Sequence, residues 1–339
     1  MLKRLFFLGL SLATVLFMSS NEQFDYAAYF GTQMNASASS AFFLPQNLDT
    51  DTPAENATVE IAEHFVVEET PVRRPLRQLE DETFKAELKR RILANPTWAK
   101  LYRSKKLSVG LVDMSNEDQP RYASLNGRHM MYAASLPKIA VLAAAHDAIE
   151  RGELKETAEI KRDMRLMIAK SNNAATTRMI DRVSFEGIER TMKDPEHKLY
   201  DREFGGGLWV GKRYAAGGRR YPDPMKGISH AATTEQICRY FWLLANGELV
   251  SRESSEKMMT YLVDPELHHK FVNTLDRVAP NATVYRKSGS WSVYHADCAM
   301  VQGPNRNYIM TALVEDPAGE QIIRQLGEVM DNIVRTAAK

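Results

Sequence analysis

One stretch of this chain predicts a helix that is buried from its first turn. Seven apolar residues, 139–145, directly follow the segment Ser135-Leu136-Pro137-Lys138. Proline fits the first turn of a helix because its missing N–H group would have no partner there, so we expect a helix that begins near Ser135 and runs to Gly152. A helix this apolar must be covered by other elements. A chain of 339 residues with 44% hydrophobic residues is large enough to supply that core.

Strand patterns occur at both ends of the remaining sequence, and helical patterns lie between them. The strand patterns cover residues 107–113, 121–125, 283–287, 295–302 and 308–314. The further helices are predicted at residues 83–94, 162–169, 174–183, 234–246 and 321–338. This arrangement is typical of an α+β fold in which one sheet is built from distant parts of the chain.

The N-terminal quarter of the sequence is typical of an export segment and a linker. Two basic residues precede an apolar run, residues 5–18, that is short for a transmembrane helix. Residues 1–20 are therefore expected to be a signal peptide, with an uncleaved N-terminal anchor as the alternative. Residues 21–75 are low in complexity with scattered prolines, and we expect a disordered linker. Residues 76–339 then form the folded domain, in the periplasm or secreted.

Charge, histidine and cysteine content exclude several kinds of site. Lys and Arg number 44 against 43 Asp and Glu, so no overall attraction for nucleic acid or anionic lipid is expected, and membrane attachment would occur through the N-terminus only. Neither a metal nor another cofactor is expected, because the segments His268-His269 and His295-Ala296-Asp297 lack metal-ligand spacing. Cys238 and Cys298 are either two buried thiols or a disulfide.

The start of the buried helix also carries the groups of a serine nucleophile. Residues three apart share one face of a helix, so Lys138 lies beside Ser135. A serine is a poor nucleophile until a neighbour takes its proton, and a lysine can do so when burial or a second positive charge, here Lys287, destabilises its ammonium form. Free N–H groups at the helix start favour an oxyanion. The same spacing at Ser254 and Lys257 is followed by polar residues and is expected to be structural.

A second segment, Ser171-Asn172-Asn173, supplies a hydroxyl and an amide two residues apart. In a tight turn these two side chains can point the same way. Ser171 would relay a proton, and Asn173 would hydrogen-bond the amide carbonyl of a substrate. A simple helix cap is the structural alternative.

A third segment, Lys287-Ser288-Gly289, ends a strand pattern. Lys287 and Ser288 would bind a substrate carboxylate, and Gly289 would let a substrate backbone approach closely. The N–H group of Ser290 would complete an oxyanion hole with that of Ser135. A turn with an exposed lysine is the structural alternative.

Together the three segments resemble the set shared by the penicillin-interactive serine enzymes, the class A β-lactamases and the penicillin-binding proteins. The resemblance covers residues 76–339 and is densest in the class A-like stretches 132–138, 167–175 and 232–234. It implies a five-stranded antiparallel sheet flanked by helices, beside an all-helical lobe, with the nucleophile between them.

The sequence also departs from class A β-lactamases. Asn172 stands where Asp is usual, Ser288 stands where Thr is common, and only 36 residues separate Ser135 from Ser171. This shorter interval predicts a trimmed wall of the cleft, which suits a bulkier substrate than a small antibiotic.

The loop at residues 201–223 departs further. Asp201-Arg202-Glu203 resembles the start of the loop in which a class A β-lactamase carries the glutamate that activates the deacylating water. Residues 204–212 lack the E-x-x-x-N pattern that should follow. We expect Glu203 to be a solvated loop carboxylate, with a deacylation base as the alternative. Trp209 and Tyr214 would either line the cleft or pack in the core.

The sequence thus predicts an exported serine hydrolase that is acylated at Ser135 by a β-lactam or a peptidoglycan stem peptide and releases the acyl group to water. A D-Ala-D-Ala carboxypeptidase or transpeptidase-like enzyme, or a sensor that binds without turnover, is the alternative. Which of these applies depends on the fate of the acyl-enzyme, and therefore on residues 201–223.

Overall fold

The computed structural model of the protein describes residues 74–337. The predicted signal peptide or anchor and nearly all of the predicted linker lie outside the described residues. Of the helices between residues 74 and 337, none is both long enough and apolar enough to cross a membrane.

A five-stranded antiparallel sheet is the centre of the fold. The strands in the described part of the chain are β1 (Leu107–Asp113), β2 (Arg121–Leu125), β3 (Met131–Tyr132), β4 (Tyr200–Asp201), β5 (Gly206–Gly207), β6 (Trp209–Val210), β7 (His230–Ala232), β8 (Thr283–Trp291), β9 (Tyr294–Gly303) and β10 (Arg306–Glu315). The central sheet has the order β2-β1-β10-β9-β8, so the first and last long strands are neighbours. Leu107 lies opposite Val314, and Lys287 lies opposite Cys298. The prediction of a sheet built from both ends of the sequence is confirmed.

Helices cover both faces of this sheet. Within residues 74–337 they are α1 (Glu82–Leu93), α2 (Pro96–Arg103), α3 (Lys138–Glu150), α4 (Ala158–Ala169), α5 (Asn173–Val183), α6 (Phe185–Lys193), α7 (Thr234–Ala245), α8 (Arg252–Leu262), α9 (Phe271–Val278) and α10 (Gly319–Ala337). Helices α1, α2, α9 and α10 share a hydrophobic core with one face of the sheet. Helix α7 packs on the other face, against the lobe formed by α3–α6 and α8. The expected α+β architecture with an all-helical lobe is therefore confirmed.

The apolar helix predicted after Lys138 is the core of this lobe. Residues 139–145 are all buried, and Lys138 is buried with them. A short connection and helix α4 lie between this helix and Ser171. The side chain of Thr157 caps the N-terminus of α4. The lobe thus wraps α3 on several sides and fixes the position of the residues that precede it.

The end of strand β8 differs from the prediction in a way that matters for the site. Strand β8 does not end at Lys287 but continues to Trp291, because Ser288, Gly289 and Ser290 stay paired with β9 in spite of their weak strand propensity. Helices α2, α6, α8 and α9 were not among the predicted helices; Asn95 caps α2 and Ser184 caps α6 through their side chains.

The two cysteines are buried, unbonded thiols. Cys238 lies on α7 and Cys298 on β9, both fully buried. Burial raises the pKa of each thiol well above its usual range, so both act as packing residues.

Candidate active site

Ser135 lies in a tight turn between β3 and α3 rather than in the first turn of the helix. The helix begins at Lys138, so the prediction that it begins near Ser135 is wrong by about one turn. The turn is fixed by Ala134, whose backbone has a left-handed φ of 50°, and by a hydrogen bond of 3.0 Å from the N–H of Leu136 to the carbonyl of Ala133. Ser135 is half-buried. The turn thus places Ser135 just before the N-terminus of α3, outside the helix itself.

Gly289 on strand β8 packs directly against this turn. A Cβ atom at this position would lie 2.3 Å from the carbonyl oxygen of Ala133 and 2.6 Å from the amide nitrogen of Ser135. These distances are far below van der Waals contact, so only glycine allows the strand to come so close to the serine. The first and third sequence segments, about 150 residues apart along the chain, therefore meet backbone to backbone.

Lys138 is buried and points at the second segment. Its Nζ donates hydrogen bonds to the carbonyl oxygen of Ser171 at 2.6 Å, to Ser171 Oγ at 3.3 Å and to Asn173 Oδ1 at 2.8 Å. Burial lowers the pKa of Lys138 to about 7. A large fraction of the molecules therefore carries a neutral amine at this position near neutral pH.

Ser171 and Asn173 owe their positions to the turn between α4 and α5. Ser171 has a left-handed φ of 53°, and Asn172 caps α5 by accepting a hydrogen bond of 2.8 Å from the N–H of Ala175. The capping role considered in the sequence thus falls to Asn172. Asn173 is the first residue of α5. Its side-chain oxygen accepts the hydrogen bond from Lys138, and the residue is otherwise exposed.

Lys287 reaches the same hydroxyl from the sheet. Its Nζ donates to Ser171 Oγ at 2.9 Å and to the carbonyl oxygen of Ser288 at 2.8 Å. The side chain is almost fully buried, and its pKa is lowered well below the usual range, first by burial and then by the positive charges of Lys138 and Arg286. Three of the predicted residues, Lys138, Ser171 and Lys287, therefore form one hydrogen-bonded cluster.

Ser288 and Ser290 lie on the edge strand of the sheet. Ser288 is buried, whereas Ser290 is exposed at the surface. The side chain of Ser290 accepts a hydrogen bond of 2.8 Å from Lys270 on the face of the sheet away from Ser135. The edge of β8 that these residues form is not paired with another strand in the described part of the chain.

Tyr214, for which the sequence left cleft lining and core packing open, lies beside Lys138 and the turn of Ser135. Its hydroxyl donates to the carbonyl of Ala134 at 3.0 Å, and the centre of its ring lies 4.5 Å from Lys138 Nζ. The ring also packs on His230 of β7, with 4.3 Å between ring centres. Burial raises the pKa of Tyr214 well above its usual range, so Tyr214 is a neutral donor that contacts both the turn of Ser135 and Lys138. Trp209, by contrast, is a core residue whose Nε1 donates to the carbonyl of Tyr221 at 2.7 Å.

Glu203 lies on an exposed 3-10 turn, Arg202–Phe204, and is not among the groups that contact Lys138. Within residues 74–337, the contacts of Lys138 Nζ are two serine oxygens, an amide oxygen and an aromatic ring, and no carboxylate is one of them. The other S-x-x-K segment is structural: Ser254 Oγ donates to Glu150 at 2.8 Å, and Lys257 pairs with Glu253.

One group in the described residues has the donor types for a metal ion, namely Asp194, Glu196 and His197. Nε2 of His197 accepts a hydrogen bond of 3.0 Å from the N–H of Val250. A neutral imidazole that accepts at Nε2 carries its proton on Nδ1, the nitrogen that faces Asp194 at 3.5 Å. Since a protonated nitrogen cannot coordinate a metal, this cluster is better explained as a histidine that the backbone of Val250 orients near an aspartate.

A family model matches the C-terminal part of this chain. A model of the β-lactamase enzyme family matches residues 159–334, and the chain belongs to that family. No curated protein matches the sequence. The family match agrees with the resemblance to the penicillin-interactive serine enzymes that the three sequence segments show.

Solved structures share the fold at low identity. A β-lactamase from Sphaerobacter thermophilus is 15% identical with a TM-score of 0.57, covering 75% of this chain and 97% of its own. PBP-A is 19% identical with a TM-score of 0.54, covering 76% of this chain and 96% of its own. A variant of PBP-A, solved as an acyl-enzyme complex with penicillin G, is 20% identical with a TM-score of 0.53, covering 78% and 98%.

Proposed function

We propose that this protein is an exported serine hydrolase that forms an acyl-enzyme at Ser135 with β-lactams or peptidoglycan-type amides. The observation that carries the proposal is the hydrogen-bonded cluster of Lys138, Ser171 and Lys287. Lys138, whose pKa is lowered to about 7 by burial, follows Ser135 by three residues, and Ser135 lies in a tight turn. A buried lysine beside a serine is the arrangement that a lysine base requires.

In this proposal the groups take the following roles. Ser135 Oγ attacks the amide carbon while its proton passes to the neutral amine of Lys138. The oxyanion is stabilised by the N–H groups of Ser135 and Ser290, which the close approach of Gly289 brings near each other. The proton then reaches the leaving nitrogen through Ser171 Oγ, which contacts Lys138 directly. Expulsion of the amine leaves an ester on Ser135.

The substrate is held by the remaining groups. Lys287 would bind a substrate carboxylate, because an anion beside this buried side chain favours its ammonium form. The exposed amide of Asn173 would bond the amide of the acyl chain. A β-lactam and a peptide ending in a carboxylate both present these features, and the penicillin acyl-enzyme of the PBP-A variant is in keeping with such a ligand.

The surroundings of Lys138 favour a second candidate function, in which the ester on Ser135 is hydrolysed slowly. Lys138 contacts no carboxylate among the described residues, and Glu203 lies on an exposed turn. Loss of a positioned general base typically slows a reaction by about 10²- to 10⁴-fold. Slow release of the acyl group would suit a D-Ala-D-Ala carboxypeptidase, a transpeptidase or a penicillin sensor in the periplasm.

Covalent labelling with a fluorescent penicillin tests the assignment of the nucleophile. Ser135→Ala is expected to abolish labelling, whereas Ser254→Ala, which alters the other S-x-x-K segment, is expected to keep it. Circular dichroism of both variants controls for folding. Undiminished labelling of folded Ser135→Ala would overturn the proposal.

Mass spectrometry of the penicillin-treated wild type over time then separates the candidates. An adduct that disappears within seconds supports a β-lactamase. An adduct that persists for many minutes supports a penicillin-binding enzyme or a sensor.

A further inference from the structure

Lys270 is a fully buried lysine in an unfavourable position. It immediately precedes α9, with a left-handed φ of 56°. The N-terminus of a helix carries a partial positive charge, so a cation there is disfavoured, and a left-handed backbone is strained for a residue with a side chain. Such costs persist only where the surrounding structure holds the residue in place.

The ammonium group of Lys270 hydrogen-bonds to strands β8 and β9, beside the turn of Ser135. Its Nζ donates to the carbonyl oxygen of Gly289 at 2.5 Å, to Ser290 Oγ at 2.8 Å and to the carbonyl oxygen of Ala296 at 3.1 Å. Within residues 74–337 it forms no ion pair: the nearby Asp297 is bound by Arg286 instead, at 2.7 Å. The ammonium is therefore satisfied by three uncharged oxygens.

Lys270 approaches β8 from the face opposite to the nucleophile. Side chains alternate along a strand, and Lys287 and Gly289 face Ser171 and the Ser135 turn. The side chain of Ser290 consequently points to the other face, where Lys270 binds it. Burial lowers the pKa of Lys270 to about 8, which leaves it mostly protonated at neutral pH.

The N–H group of Ser290 points to the free edge of the sheet. Trp291 and Tyr294 face each other across a two-residue loop, so Ser290 lies opposite His295. Pairs in an antiparallel ladder alternate between bonded and non-bonded, and the pair next to a two-residue loop is bonded. Ser290 is therefore in a non-bonded pair, and its N–H is directed away from β9, toward the cleft.

We propose that Lys270 is a positioning residue that fixes the Gly289–Ser290 peptide and polarises its N–H group toward the oxyanion formed at Ser135. The inference rests on the proposed function. A cation bound to a peptide carbonyl draws electron density toward the oxygen and makes the N–H of the same peptide a stronger donor. Lys270 binds the carbonyl of the peptide whose N–H faces the cleft. Its bond to Ser290 Oγ also fixes the orientation of that peptide.

Replacement of Lys270 tests this role through the rate and the spectrum of the acyl-enzyme. Lys270→Met removes the charge and the donor, whereas Lys270→Gln keeps a donor without the charge and Lys270→Arg keeps the charge. Thr274→Val serves as the matched control, because it removes the hydrogen bond that the hydroxyl of Thr274, a buried residue of the helix that follows Lys270, donates to the carbonyl oxygen of Arg324. The measurements are the stopped-flow rate of penicillin acylation, resolved into binding and acylation steps, and the infrared stretching frequency of the ester carbonyl.

The expected result is a loss in the acylation step with binding little changed. Removal of a whole oxyanion donor costs about 10²- to 10³-fold in rate, so loss of its polarisation is expected to cost about 10- to 100-fold. The ester carbonyl should move to higher frequency in Lys270→Met and Lys270→Gln, because it is bonded less strongly. Lys270→Arg should restore much of the rate, and Thr274→Val should resemble the wild type in both measurements.

Two results would count against the inference, and they differ from each other. If Lys270→Gln is folded, is acylated as fast as the wild type and has the same carbonyl frequency, Lys270 is purely structural and the proposed function stands. If the folded wild type is not acylated at Ser135 at all, the proposed function fails and the role assigned to Lys270 fails with it. Should Lys270→Met not fold, Lys270→Gln decides the matter.

Discussion

Lys138 and Lys287 donate hydrogen bonds to the same oxygen, Ser171 Oγ, at 3.3 and 2.9 Å. A hydroxyl oxygen that accepts two bonds has no further lone pair available, so its own proton must point away from both lysines. Two ammonium groups this close repel each other, and burial adds to the cost of charging both. The shared hydroxyl therefore both separates the lysines and presents a proton to the cleft.

The rate of acylation should rise with pH around neutrality. In the proposed mechanism Lys138 acts as a base in its neutral form, and burial lowers its pKa to about 7. Below that pKa the rate should fall about tenfold per pH unit, and above it the rate should level off. The pH profile of penicillin acylation measures this. A rate that still climbs from pH 8 to 10 would show an unperturbed lysine.

Asn173→Asp should shift this profile to higher pH. Asn173 Oδ1 lies 2.8 Å from Lys138 Nζ, and a carboxylate at that distance stabilises the ammonium form, raising a lysine pKa by about 1–3 units. Acylation at pH 7 should fall about tenfold or more and recover at alkaline pH. Asn172→Asp is the matched control: it keeps the cap on α5, and the side chain of Asn172 bonds no lysine among residues 74–337. Equal shifts in both variants would contradict the assigned contacts.

Two substitutions of Tyr214 should separate its hydroxyl from its ring. Tyr214→Phe removes the hydrogen bond to Ala134 and is expected to cost about 1 kcal/mol of folding free energy with no shift of the pH profile. Tyr214→Leu also removes the ring beside Lys138, and a cation near an aromatic face gains about 0.5–1 kcal/mol. The apparent pKa of Lys138 should then fall by about half a unit. A similar shift in both variants would exclude the ring as its cause.

Gly289→Ala should destabilise the protein and slow acylation together. The added Cβ would lie 2.6 Å from the amide nitrogen of Ser135, and overpacking of this kind typically costs about 1–3 kcal/mol. Gly187→Ala is a suitable control, because its Cβ would meet only Ser184 Oγ at 3.5 Å and alanine favours a helix by about 0.5–1 kcal/mol. Denaturant unfolding and labelling rates of the two variants measure the difference. An unchanged labelling rate in Gly289→Ala would show that β8 can move away from the turn of Ser135 without loss of reactivity.

Much of the fold could be predicted because its signals are local. The buried run after Lys138 required a covered helix, and the strand patterns on both sides of the helical region required a sheet closed by distant segments. The helix start was missed because the backbone of Ala134 turns left-handed, a choice made by packing against Gly289 rather than by the residue itself.

The parts of the site that sequence reasoning left open or missed depend on long-range packing. Nothing near Tyr214 in the sequence indicates that its hydroxyl reaches Ala134, 80 residues earlier. Lys270 lies outside every recognised segment, and only the folded sheet brings it behind Gly289. A buried lysine leaves no pattern of its own, since an isolated lysine between loops is normally exposed.

The order β2-β1-β10-β9-β8 also has a consequence for how the protein folds. Strands β1 and β10 pair although roughly 200 residues of chain separate them, and contacts of such sequence separation form late and slowly. Strand β8 joins the sheet through β9, and only then does Gly289 meet the turn of Ser135. During refolding, reactivity toward penicillin should therefore return last, after the helical signal, so that labelling reports completion of the whole domain.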